Sequence, residues 1–390
     1  MATQEMIYKN LAVNEFIWKR LQKLKSKNRI PHALLFHGPN GSGKEAHAIE
    51  LAALINCEKE SNQSCGNCSS CLRIKNFSDE NIHFIYPMPR GKITSKKDDP
   101  IKALSDSDLE YIKDLYKLKS KNPYKKIKLE NSRTIIINSI TNLKRKVFLS
   151  SSANFYKVII IFEADKLSFP NNEAANSLLK ILEEPPEKTC FILISSSENK
   201  VIDTIKSRCQ SYYFSNLTKN EVKSNLELFY DNKEETNFVS ALSNGDMSFA
   251  QNIIDGKYDY KLDIQHTIRA IYKKDIESWS YIYNKLTDRP NKNQLKYYFS
   301  LFRIAIRDIR IYSVTKNSDD IHLKDYIAIF KKFVENRESS MFDRCLDCVN
   351  ISADMISRNG YKPIVVWTML LDINSILNYK ESGDYRYINR

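Results

Sequence analysis

A chain of 390 residues with 42% apolar side chains is long enough for two to four domains and apolar enough to bury true cores. No apolar run approaches the ~18 residues that span a bilayer, and the opening "MATQEMIYKN" lacks the basic start and apolar middle of a signal peptide; no membrane association and a cytoplasmic location are expected. The net charge of +13 suits a phosphate-rich partner and equally a basic, solvated surface, and charge alone does not choose between them.

Along the first two hundred residues, short apolar runs alternate with helical stretches. Phe16, Ile17, Leu21 and Leu24 have helical spacing over 15–25. "ALLFHG" (33–38) reads as a strand running into a Gly-rich turn, and "EAHAIELAALIN" (45–56) as the helix after it. "IHFIY" (82–86), "TIII" (134–137), "KVIIIF" (157–162), "CFILIS" (190–195) and "SYYF" (211–214) are further strand candidates. They are short and almost continuously apolar, as strands buried on both faces of a parallel sheet are. Residues 87–130 break the rhythm with 12 Lys and Arg. This stretch reads as an insertion with one helix near 105–119 and flexible flanks, either a solvated excursion or a contact to DNA or a partner.

Beyond residue 215 the strand pattern stops. Residues 216–265 read as a small helical lid, with a turn into a helix at "SNGDMSFAQNII" (243–254), and 266–390 as an all-helical domain. There Leu295, Tyr298, Phe299, Phe302, Ala305, Ile306 and Ile309 form one stripe, with Arg303, Arg307 and Arg310 off it. No repeat of 20–50 residues is visible.

"GPNGSGKE" (38–45) places Gly38, Gly41, Gly43 and Lys44 at the spacing of a phosphate loop. Glycines let backbone N–H groups curl around phosphates, the helix behind turns its positive end to the same anion, and Lys44 would reach the outer phosphates. ATP is the expected ligand of such a loop. The pattern fails at its last position, where Glu45 stands in place of the Ser or Thr that holds magnesium. A carboxylate there repels phosphate, so the loop either still binds nucleotide or survives as architecture alone.

Cys57, Cys65, Cys68 and Cys71 have the spacing C-x7-C-x2-C-x2-C. Four thiolates so close suit one structural zinc with no open position. An iron–sulfur cluster or a redox dithiol are the alternatives. Cys345 and Cys348, a lone C-x2-C in a helical region, read as core residues, as do Cys190 and Cys209. His32 reads as structural.

"NSLLKILEEPP" (176–186), after "KVIIIFEADKLS" (157–168) and before "FILISSSENKVIDTIKSRCQ" (191–210), together with "IPHALLFHGPNGSGK" (30–44), resembles the bacterial clamp-loader branch of the AAA+ ATPases, the gamma/tau and delta-prime subunits of DNA polymerase III. The resemblance covers about residues 1–255 and leaves out 87–130. It implies an α/β P-loop AAA+ core over 1–215, a parallel sheet with helices on both faces, carrying a zinc module at 57–71. It further implies a helical lid and an all-α C-terminal collar for oligomerisation.

The resemblance also assigns roles. The Asp-Glu pair that holds magnesium in active gamma-type members falls on Phe162 and Glu163, so the Asp is gone. The polar sensor falls on Ser196, and the lid arginine on Ser248. With Glu45, three positions needed for phosphoryl transfer are altered. Arg208, in an intact "SRC", matches the finger that reaches a neighbouring subunit's ATP; a local salt bridge is the alternative. Glu183 and Glu184 fall in a region of subunit contacts. The implied function is a delta-prime-type subunit that helps load the sliding clamp onto primed DNA with gamma/tau and delta partners, its own ATPase site inactive. An ATP-hydrolysing gamma/tau-type subunit is the alternative, and a DNA-binding module using 87–130 a third reading.

Overall fold

The computed structural model describes residues 6–59, 62–148, 155–273, 275–335 and 337–378. The chain divides into two compact units, Met1–Leu228 with Gly245–Ser248, and Phe229–Asn244 with Phe249–Arg390. The break falls inside 216–265, the segment expected as a lid.

The first unit is an α/β layer structure. In chain order it carries α1 (Glu15–Ser26), β1 (Ala33–His37), α2 (Lys44–Ile55), α3 (Ser69–Lys75), β2 (Ile82–Ile85), α4 (Asp106–Lys121), α5 (Ile137–Phe148), β3 (Lys157–Ile161), α6 (Glu173–Glu183), β4 (Thr189–Ser195), α7 (Asp203–Lys206), β5 (Gln210–Tyr213) and α8 (Lys219–Leu226). The five strands form one parallel sheet in the order β2-β3-β4-β1-β5. Side chains alternate along each strand. One set, Ala33, Leu35, Ile159, Ile161, Phe191 and Leu193, is buried with Ile140, Leu143 and Val147 of α5 and Leu178, Ile181 and Leu182 of α6. The opposite set, including Leu34, Phe36, Ile160 and Ile192, is buried on the face along which α2 runs. Truncating a residue such as Ile160 to Ala would cost about 2–5 kcal/mol, because the close-packed interior cannot fully collapse onto the gap.

One sequence expectation fails here. "TIII" (134–137) is not a strand: Thr134 makes a single bridge to Met88, and Ile137 opens α5. Its β-branched residues look strand-like because Ile135 and Ile136 are buried, Ile135 in the core that the sheet shares with α5 and α6, without joining a strand. The insertion at 87–130 carries the expected helix, as α4, and part of it is buried. The Ser105 side chain caps α4 in a reciprocal box with Asp108, and Ile112, Leu115, Lys119, Tyr124, Ile127 and Leu129 are buried.

The second unit is helical: α9 (Lys233–Leu242), the end of α10 (Met247–Asn252), α11 (Tyr260–Tyr272), α12 (Ile276–Thr287), α13 (Lys292–Thr315), α14 (Ile327–Val334), α15 (Ser339–Ser357) and α16 (Lys362–Asn378). The stripe on α13 is buried at Tyr298, Phe299, Phe302, Ala305, Ile306 and Ile309, against α11 and α15. Two carboxylates, Asp263 and Asp308, are buried in this unit. Asp263 is 2% exposed and accepts hydrogen bonds from the hydroxyls of Tyr281 (2.8 Å), Tyr297 (2.9 Å) and Tyr298 (2.7 Å). No helix among the described residues is long and apolar enough to cross a membrane.

Candidate nucleotide site and metal centre

The phosphate loop turns out of β1 and into α2, as its glycines require. Gly38, Gly41 and Gly43 have φ of 140°, 70° and 81°, values that a side chain disfavours. A Cβ on Gly38 would lie 2.0 Å from the Phe214 carbonyl oxygen, and one on Gly41 2.1 Å from a carboxylate oxygen of Asp246. The loop is thus closed tightly against its surroundings. Lys44 is buried, and its ammonium donates to the Pro39 carbonyl at 2.7 Å, inside the loop itself. Burial pulls its pKa down to about 8, partly resisted by the Glu45 carboxylate.

Glu45 occupies the first turn of α2, and its carboxylate meets the Lys119 ammonium of α4 at 2.7 Å. Burial pushes the Glu45 carboxyl up, but Lys119, Lys126 and Lys44 outweigh it and hold it below the ordinary value. Lys119 is fully buried and also donates to the carbonyls of Pro123 (3.3 Å) and Lys125 (2.6 Å). It lies 5.7 Å from the centre of the Phe162 ring. Phe162 itself is buried and stacks on Phe84. The residues that break the sequence pattern at Glu45 and Phe162 therefore share one neighbour, Lys119. The third, Ser248, donates its hydroxyl to the Tyr124 carbonyl at 2.9 Å, in the same insertion.

Nothing in the phosphate-loop pattern pointed to Lys119. Its signal lay in α4: Ile112, Leu115 and Lys119, spaced three and four apart, fall on one helical face. A lysine on a buried apolar face needs an anionic partner, and the half-buried Glu45 is that partner.

The other expected residues are placed as follows. Glu163 has left-handed backbone (φ 49°) and pairs with Lys166 at 3.6 Å. Ser196 follows the end of β4, half-buried. The neighbouring Ser195 carries the polar contact, donating to Asp165 (3.2 Å) and the Ser197 carbonyl (2.8 Å). Arg208 lies after α7 at the surface, donating to Glu183 (2.8 Å) and the Thr204 carbonyl (2.9 Å). The loop residues and Glu45 cluster; Arg208 stands apart from them, with Glu183.

The donor set at the phosphate loop does not fit Mg·ATP. At the positions the resemblance assigns to magnesium and phosphate, Glu45 is a carboxylate already paired with the Lys119 ammonium, Phe162 is a buried ring, and Lys44 is turned onto Pro39.

The cysteine module does fit a zinc ion. Cys57, Cys65, Cys68 and Cys71 have all four Sγ atoms within 4.8 Å of one another; a tetrahedral zinc with Zn–S near 2.3 Å needs them about 3.8 Å apart. Backbone N–H groups of Cys65, Cys68 and Cys71 donate to the sulfurs of Cys57, Cys65 and Cys68, which favours thiolates. Cys68 caps α3. The module is tied to α2 by Glu50, fully buried, which accepts from Ser64 Oγ and from the Ile7 and Tyr8 N–H groups. Burial raises the Glu50 pKa to about 7 despite these bonds. Cys190, Cys345 and Cys348 are buried and Cys209 half-buried, as expected of core thiols.

Residues 13–218 match the family model described as "DNA polymerase III, delta subunit". The chain belongs to this family. Within the DNA polymerase III clamp-loader proteins it is similar to subunit tau of Bacillus subtilis, 27% identical over 264 residues, 66% of this chain and 38% of that protein. It is also similar to subunit delta' of Bacillus subtilis, 29% identical over 210 residues, 54% of this chain and 50% of that protein. The chain thus spans half or less of the length of these relatives. A solved DNA polymerase III gamma subunit-related protein from Thermotoga maritima aligns over 92% of this chain and 98% of its own at 13% identity, with a TM-score of 0.34, too low a likeness to argue from.

Proposed function

We propose that this chain is a delta-prime-type clamp-loader subunit. It helps place the sliding clamp on primed DNA together with gamma/tau and delta subunits in the cytoplasm, without hydrolysing ATP. The observation that carries this reading is the fate of the metal-binding acids. Phe162 fills one position with a buried ring, and Glu163 is left with Lys166 as its partner. Phosphoryl transfer depends on positioned metal and charge neutralisation, and these residues supply neither. Arg208, half-buried and held by the Glu183 carboxylate and the Thr204 carbonyl, is offered to a neighbouring subunit's ATP as a fixed positive charge. The lid (216–265) and the collar (266–390) serve assembly, and Cys57, Cys65, Cys68 and Cys71 hold a structural zinc.

The test is ATP turnover by the purified chain alone, and again after adding gamma/tau and delta partners. The isolated chain should be inactive and should raise the turnover of the mixture; robust DNA-stimulated turnover by the chain alone ends the proposal. The retained loop glycines, Lys44 and Glu163 favour a second reading, an active gamma/tau-type motor. Loss of clamp loading in a Lys44→Ala complex would support that reading instead.

A further inference from the structure

The family's phosphate loop awaits a nucleotide from solution. In this chain the residues around it are already engaged by the insertion, at several independent points. Lys119 meets Glu45 at the start of α2. Lys126 donates to the Asn40 side chain, within the loop, at 2.7 Å. The Tyr124 hydroxyl oxygen accepts from the Ala12 N–H, ahead of α1, at 2.9 Å, and the Tyr124 carbonyl accepts from Ser248 at the start of α10. Asn10 reaches the Lys121 carbonyl at 3.3 Å.

We propose that residues 119–126 are a built-in occupant of the phosphate loop: Lys119 gives Glu45, from within the chain, the positive charge that the family takes from a bound cation, and the docked segment keeps nucleotide out. This deepens the reading above, on which it rests, from poor hydrolysis to exclusion of the ligand itself.

The chemistry of Lys119 sets this contact apart from a chance surface pair. An ammonium has three protons, and Lys119 has three acceptors in Glu45, Pro123 and Lys125. It is fully buried, and burying a charge is unfavourable unless it is paired and its hydrogen bonds are made. Both conditions hold, so the segment is built to dock with the lysine inserted. Phe162 complements it, presenting a ring face to the cation where an acid would stand. Glu45 and Phe162, which disable the loop toward magnesium, are the residues that receive Lys119. The exchanges at the loop and the presence of the insertion thus form one device.

The test measures binding separately from turnover. Mg·ATP is titrated by calorimetry against the full chain and against an E45T/K119A/K126A variant, which removes both ion partners together and restores the hydroxyl. The wild-type chain should show a Kd weaker than about 1 mM, and the variant, judged folded by circular dichroism and zinc content, should bind at least about tenfold tighter. Wild-type binding below about 100 μM, or a folded variant that binds no better, overturns the occupant. Binding without turnover in the wild type sinks the occupant alone and spares the proposed function. No binding, with Arg208→Ala leaving complex turnover untouched, does the reverse. Should the variant fail to fold, lysine acylation of the wild-type chain decides. Lys119 should react at least about tenfold more slowly than the exposed Lys117, since a buried paired ammonium is withdrawn from reagent, with or without saturating Mg·ATP. Equal rates, or exposure of Lys119 on adding Mg·ATP, would overturn it.

Discussion

The Arg208 guanidinium and the Glu183 carboxylate meet at 2.8 Å, at the surface end of α6. Both side chains are substantially solvated, at 35% and 50% exposure, and such pairs contribute only about 0–1 kcal/mol. The pair orients Arg208 without committing it, and a neighbour's phosphates can take the guanidinium at little cost.

Removing the arginine should therefore matter far more than removing its partner. Arg208→Ala is expected to lower kcat at the site it serves in a reconstituted complex by about 10³-fold or more. Glu183→Ala should change kcat by less than about threefold. Steady-state ATPase assays of the two complexes check this; equal effects would make the pair structural.

The metal module predicts a stoichiometry. The purified chain should carry about one zinc, four thiolates closing one tetrahedral site. Cys65→Ser with Cys68→Ser should lose it, and the melting midpoint should fall by several degrees, at about 2–4 °C per kcal/mol for a unit of this size. Atomic emission and calorimetry read both. Retention of zinc by the double variant would exclude the module as the site.

Glu50 predicts a pH dependence. Its pKa is raised from 4.5 to about 7 in the folded chain by burial. A carboxyl raised in this way favours folding while protonated. Its contribution is complete below about 4.5, is lost as pH rises to about 7, and stays lost above that. The loss is about 3 kcal/mol at most, at about 1.4 kcal/mol per unit. Urea unfolding at pH 5 and pH 8 should show this slope in the wild type and a flatter one in Glu50→Gln.

In the helical unit, Asp263→Ala should cost about 3 kcal/mol or more. It strands the hydroxyls of Tyr281, Tyr297 and Tyr298 without their acceptor, and each unsatisfied group costs about 1–3 kcal/mol. Asp263→Asn, which keeps one acceptor oxygen, should cost less. Denaturant midpoints decide; a neutral Asp263→Ala would mean the tyrosines find other partners.

The sheet was legible because its strands are continuous apolar runs, and all five begin and end within a residue of where the sequence put them. The error at "TIII" has the same origin: a β-branched run reports burial, and Ile135 and Ile136 are buried without pairing into the sheet. The glycines, Lys44 and the four cysteines were legible because their chemistry is local in sequence. Lys119 was not, because it lies 74 residues from Glu45 in a stretch whose many lysines look like solvated charge. Only the buried positions Ile112 and Leu115 on the same face mark it as different.

The distribution of thiols has a practical corollary. Burial raises the pKa of Cys190 and Cys209 to about 12 and pushes that of Cys345 up as well. Such thiols are almost wholly protonated at neutral pH and poor nucleophiles. An alkylating dye or a mild oxidant would therefore find its targets within 57–71, and only after the ion has left. Counting the groups within 57–71 that react, none with the ion in place and up to four once it is lost and the module opens, turns a colour reaction into a gauge of metal occupancy.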